Sequence, residues 1–149
     1  MISAVGCQGL SGSRPNMVLI FIDDTGWGDY SFNDPNRTDT PNLQQLSEQG
    51  MTLTDFHAAA SVCTPSRAGL LTGRLGVRTG VTRNFSPFSK YGLPMNETTV
   101  AEVLSRAGYA TAATGKWHLG HRPPHSPLHR GFDAFLGCLL YTSPSPRDA

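Results

Sequence analysis

The sequence predicts an α/β fold with a mainly parallel sheet flanked by helices, and three observations predict it. Met17-Val-Leu-Ile-Phe-Ile22 is an unbroken apolar run of the kind found in strands buried on both faces. Strand-like and helix-like segments alternate after it, as βαβ units require. Polar clusters follow the strands or open the helices, which is where open α/β sheets bind ligands.

The elements follow in order. Residues 1–13, a Gly/Ser-rich leader, lack a basic start and a continuous apolar segment, so they do not read as a secretory signal. The protein is then either cytosolic or missing its true start. The apolar run stops at Asp23-Asp24-Thr25-Gly26, a turn with two carboxylates. Thr40-Pro41 supplies an N-cap and a first-turn proline for a helix that carries Leu43 and Leu46 and stops at Gly50. Met51–Phe56 alternates apolar and polar residues, which predicts a half-buried strand. Cys63–Gly73 reads as a second helix, with Pro65 near its start. Thr99-Val-Ala-Glu102 is a capping box that opens a third helix ending at Gly108. Tyr109–Thr114 is a strand of small residues leading into Gly115-Lys116-Trp117-His118. From about Cys138 the periodicity is lost, which predicts a solvated end.

Composition narrows the function. With 149 residues, 38% hydrophobic and 15% charged, the chain has material for one core. A formal charge of +1 argues against a nucleic-acid or anionic-membrane partner, since both need a basic excess. No apolar run approaches the roughly 20 residues of a membrane span. Cys7, Cys63 and Cys138 are odd in number and far apart, with neither a disulfide framework nor zinc spacing.

Three clusters carry candidate chemistry. Asp23 and Asp24 offer hard oxygen ligands for Ca²⁺ or Mg²⁺, or simply a polar turn. Cys63 lies at a helix start with Arg67 one turn on, where helix dipole and guanidinium favour an anion. It is a nucleophile or a buried structural cysteine, and a bare thiolate would sit oddly beside carboxylate-favoured metals. Lys116 and His118 share one face if the segment is extended, suited to holding a tetrahedral anion and moving a proton. The alternative is an exposed lysine and a packed histidine.

Four segments then carry a family resemblance: MVLIFIDDTGWG from Met17, Thr40-Pro41-Asn42-Leu43, CTPSRAGLLTG from Cys63, and GKWHLG from Gly115. They resemble the sulfatases of the alkaline-phosphatase-like superfamily, and look most like the arylsulfatase A and N-acetylgalactosamine-6-sulfatase branch. The resemblance covers residues 14–137, which it makes the N-terminal part of a sulfatase catalytic domain and hence a partial, truncated version of that fold.

The resemblance implies a chemistry. In the family this cysteine is oxidised to formylglycine and hydrated to a diol, so that residue 63 offers oxygen rather than sulfur. Asp23, Asp24 and modified Cys63 would ligate one divalent ion, Ca²⁺. One diol oxygen attacks sulfur and the alcohol leaves; the second hydroxyl then expels sulfate. Arg67 and Lys116 would stabilise the diol, and His118 would help deprotonate its second hydroxyl. The implied partners are a sulfated small molecule, glycan or glycolipid and the formylglycine-generating enzyme; the implied location is lysosomal or secreted.

Departures from the family pattern carry expectations too. The later Asp-Asn metal pair and the later Lys and His that grip sulfate have no counterpart here, so the chain alone is expected to be inactive and prone to aggregate. Residues 138–149 lack the family's Pro-Tyr-Ser-type continuation and are expected to be non-native sequence. A phosphatase or phosphodiesterase of the same superfamily would place Ser or Thr where Cys63 stands; a non-catalytic relative would keep Cys63 as a thiol.

Other motifs point less far. His121, His125 and His129 have helical spacing, but Pro123, Pro124 and Pro127 forbid the helix and predict a surface loop. Arg74, Arg78 and Arg83 read as solvated surface or partners of acids. Asn36-Arg-Thr38 and Asn96-Glu-Thr98 are glycosylation sequons. Asn84-Phe-Ser86 is a poorer acceptor because Pro87 follows it.

Overall fold

The computed structural model describes residues 14–140, so the leader and most of the expected tail lie outside the described residues. The chain divides into two compact units, Met1–His57 and Ala58–Ala149.

In the first unit the backbone bends at Asp23-Asp24 and enters a 3-10 turn, Trp27–Asp29. The Gly26 N–H donates to Asp29 Oδ2 at 2.6 Å, closing that turn. Helix α1 (Pro41–Gln49) starts at the expected proline and stops before Gly50. Thr40 stands at its N-cap position, yet the hydroxyl does not cap the helix. It accepts instead from the Ser31 N–H at 2.9 Å, tying the preceding loop to the helix start. Leu43 and Leu46 of α1 line an apolar groove with Ile20, Ile22, Met51 and Leu53. Tyr30 is buried and stacks on Phe32, with centroids 5.3 Å apart.

Two expected strands are not formed. Met17–Ile22 makes no ladder, and Val18 is 69% exposed. Met51–Phe56 is likewise irregular and exposed. A strand exists only through hydrogen bonds to a neighbouring backbone, and apolar patterning does not supply the neighbour. Among the described residues the one ladder lies in the second unit.

That unit contains α2 (Cys63–Thr72), α3 (Gly76–Thr79), α4 (Val100–Arg106), β1 (Ala112–Lys116), a 3-10 turn (Pro127–His129) and β2 (Ala134–Cys138). Helix α4 has the expected capping box: Thr99 Oγ1 accepts from the Glu102 N–H at 3.1 Å, and Glu102 Oε2 accepts from the Thr99 N–H at 3.0 Å. β1 and β2 pair in parallel, with Ala112 opposite Ala134 and Lys116 opposite Cys138. This is the parallel α/β architecture that the sequence predicts. β1 begins later than expected because Thr111 is occupied elsewhere: its N–H donates to Asp133 Oδ2 at 2.8 Å and its hydroxyl to the Gly131 carbonyl at 2.6 Å. Cys138 closes β2, at the position from which the sequence predicts an irregular end. The Cys138 and Leu139 carbonyls go on to accept from the Trp117 and His118 N–H groups, each at 2.9 Å.

The core of this unit is Ala68, Val81, Leu93, Trp117 and Leu119, with Phe85, Phe132 and Phe135 packed against it. The expected histidine loop is present. His125 Nδ1 bonds the Leu93 carbonyl at 3.0 Å, and His129 Nδ1 bonds Ser126 Oγ at 2.7 Å, so the two rings serve different partners.

Candidate active site

Helix α2 sets Cys63 in its first turn. Pro65 is tolerated there because its missing N–H would have had no intrahelical partner. At the other end Gly73 takes a left-handed conformation, φ 67°, and donates to the Gly69 carbonyl at 2.8 Å. Gly69 faces Ala59 so closely that any Cβ would collide with the alanine methyl, which fixes how α2 seats in its unit.

Four of the expected residues come together at this helix start. Lys116, the last residue of β1, donates from Nζ to Cys63 Sγ at 3.2 Å. Arg67, one turn along α2, donates from Nη1 to the Lys116 carbonyl. His118 is tied to the same turn, since the Thr64 hydroxyl donates to its carbonyl at 3.0 Å. The guanidinium, the ammonium and the dipole of the helix end all favour negative charge around residue 63.

Lys116 and His118 do not share a strand face. β1 ends at Lys116, and His118 turns into the left-handed region at φ 55°, one of two described non-glycine residues with positive φ. The turn sends the lysine toward Cys63 and aims His118 Nε2 at the Phe85 carbonyl, 2.9 Å away. His118 is buried, and the bonds at its N–H, carbonyl and ring hold it in this unusual conformation.

Asp23 and Asp24 belong to the first unit, side by side on the bend, Asp23 half-buried and Asp24 exposed at φ 50°. Adjacent carboxylates are a hard donor pair, the kind that suits Ca²⁺. Neither unit by itself, among the described residues, gathers three His, Cys, Asp or Glu side chains around one point.

Sequence reasoning missed two residues. Asn84, noted only as a poor sequon, accepts from the Thr64 N–H through Oδ1 at 2.8 Å and so caps α2 from a distant loop. Arg130 is fully buried; its Nε donates to Glu102 Oε1 at 2.8 Å and its Nη1 to the Leu93 carbonyl at 2.9 Å. No local pattern marks either one, because their partners lie far away in sequence. Arg74, expected as surface or as the partner of an acid, stands 3.4 Å from the buried Glu97 carboxylate.

A parallel α/β unit that brings a strand-end lysine onto the cysteine of a Cys-x-Pro-x-Arg helix start defines a class. Residues 15–147 match the Sulfatase family model, and the chain belongs to the sulfatase family. It is 58% identical over 126 residues to arylsulfatase G of Canis lupus familiaris, covering 85% of this chain and 24% of that protein. Arylsulfatase A of Homo sapiens is 53% identical over 134 residues, covering 87% and 26%. N-acetylgalactosamine-6-sulfatase of Mus musculus is 42% identical over 146 residues, covering 92% and 28%. The chain thus spans about a quarter of the length of these relatives. Among solved structures, the crystal structure of Ps i-CgsB superposes with a TM-score of 0.73 at 38% identity, covering 78% of this chain and 27% of that one.

Proposed function

We propose that this chain carries the nucleophile-bearing part of a sulfuric ester hydrolase. The observation that supports this reading best is the placement of Lys116 Nζ 3.2 Å from Cys63 Sγ at a helix start that also carries Arg67. A sulfate ester brings negative charge to the nucleophile and gains more as the ester bond breaks, so cations held there in advance stabilise the reacting state.

Oxidised to formylglycine by a formylglycine-generating enzyme and hydrated, residue 63 supplies an oxygen nucleophile toward sulfur. A single Ca²⁺, for which Asp23, Asp24 and the oxidised residue 63 are the proposed ligands, supplies charge neutralisation at the sulfuryl oxygens. The donor chemistry supports that assignment, since oxidation replaces a soft sulfur at residue 63 with oxygen, the donor type that carboxylates also offer and Ca²⁺ takes. Lys116 directs its ammonium at the side chain of residue 63. Arg67 holds the end of β1 to α2 through the Lys116 carbonyl and adds positive charge. His118 accepts a proton from the residue 63 hydroxyl.

The substrate is proposed to be a sulfated small molecule, glycan or glycolipid, in keeping with relatives named for aryl and N-acetylgalactosamine 6-sulfate esters. A lysosomal or secreted location follows from the same likeness. No helix among the described residues is long and apolar enough to cross a membrane.

The test is a mass measurement followed by kinetics. Expressed in a host with formylglycine-generating activity, the peptide bearing residue 63 should carry an aldehyde. In the full-length enzyme Cys63→Ala should lower aryl sulfate hydrolysis by about 10⁴-fold or more. An alkylatable thiol at residue 63 would favour a non-catalytic relative instead, and undiminished turnover in the variant would remove Cys63 as nucleophile.

A further inference from the structure

We propose that Asn84 and Phe85 form a positioning strap that selects the proton-accepting nitrogen of His118, an inference that rests on the reading of His118 as the base. The strap is built from contacts between residues far apart in sequence. Asn84 Oδ1 accepts from the Thr64 N–H at 2.8 Å, and the Phe85 N–H donates to Thr64 Oγ1 at 3.3 Å. Thr64, fully buried, passes its own hydroxyl hydrogen to the His118 carbonyl at 3.0 Å. The Phe85 carbonyl then meets His118 Nε2 at 2.9 Å. The backbone and ring of His118 are therefore held by the same two-residue segment that caps the helix bearing Cys63.

The last contact sets the tautomer. A carbonyl oxygen only accepts, so Nε2 must carry the hydrogen, and in the neutral imidazole the lone pair falls on Nδ1. Nδ1 is then the ring nitrogen left able to accept a proton. The neutral ring does not have to change tautomer first, because the Phe85 carbonyl has already made the choice. Asn84 touches none of the reacting atoms; it is a positioning residue that acts through Thr64 and Phe85.

Long-range ¹H–¹⁵N spectra of the 149-residue chain labelled at histidine nitrogen, carrying Val18→Lys against self-association and taken where imidazoles are neutral, read the tautomer directly. The expected result is a single Nε2–H pattern for His118, assigned by its loss in His118→Gln. Asn84→Ala should replace it with an averaged pattern of both tautomers, while Trp117 emission stays unchanged. Asn84→Asp, which keeps the acceptor oxygen, should restore the single pattern. An Nδ1–H pattern in the parent chain overturns the proposal whatever the variants do, as does an Asn84→Ala spectrum identical to the parent's. Peptide mass separates this from failure of the broader reading. A thiol at residue 63 in a converting host, with the strap effect intact, fails the sulfatase reading alone. An aldehyde there, with no strap effect, fails the strap alone.

Discussion

Arg130 shows how much a single side chain can carry when it is buried. Its guanidinium is 0% exposed and distributes its N–H groups between the Glu102 carboxylate and the carbonyls of Leu93, Pro94 and Glu97. Removing it leaves the half-buried Glu102 carboxylate and several carbonyls, those of Leu93 and Glu97 buried with it, without their donor, which together costs about 3–5 kcal/mol. Arg130→Met should therefore lower the unfolding free energy by that amount in urea titrations followed by Trp117 fluorescence. Arg130→Lys should rescue little, because an ammonium cannot reproduce the planar fork. A loss below about 1 kcal/mol in Arg130→Met would mean that the network is dispensable. The sequence concealed this residue. Cys63, Arg67, Lys116 and His118 were legible because a short motif marks them, whereas the partners of Arg130 lie 28 to 37 positions away.

At the scale of elements, legibility followed the range of the interactions. Helices α1, α2 and α4 start and stop where Pro, Gly and the Thr99–Glu102 box direct them, since these signals are local; the Asn84 cap of α2 is the long-range exception. The strands were harder. β2 went unread because Ala-Phe-Leu-Gly-Cys has neither clean alternation nor a β-branched residue, and its existence depends on β1. That dependence is tightest at Gly115 and Gly137, which face each other in the register. A Cβ on Gly137 would run into the Gly115 carbonyl, so the two strands approach only because no side chain intervenes. Gly137→Ala should cost about 1–3 kcal/mol from the enforced shift. It should also speed amide hydrogen exchange at Trp117 and His118, whose N–H groups bond just beyond the ladder. Thr99→Ala tests the cap in the same unit: losing it, together with the hydroxyl's bond to the Arg130 carbonyl, should cost about 1–2 kcal/mol and leave those two amides protected. Equal exchange in both variants would show that β2 does not hold the His118 segment.

For the molecule as a whole, the informative discrepancy is Met17–Ile22. Its composition announces a buried central strand, yet Met17, Val18, Leu19, Ile20 and Ile22 are all exposed and outside any ladder. Apolar content is a property of the segment, while burial belongs to the assembly of strands and helices around it. An uncharged run of six apolar residues without proline, its backbone groups outside any ladder, is also the pattern that promotes intermolecular β-pairing. The 149-residue chain, studied alone, should therefore self-associate and bind a hydrophobic dye, with light scattering that rises with concentration. Val18→Lys places a charge at the most exposed position of the run, 69%, where it disturbs no packed core. It should reduce the scattering severalfold and leave Trp117 emission unchanged. If scattering persists in Val18→Lys but falls in Leu136→Lys, on the exposed face of β2, then the open β1–β2 sheet is the adhesive surface and the Met17–Ile22 run is not.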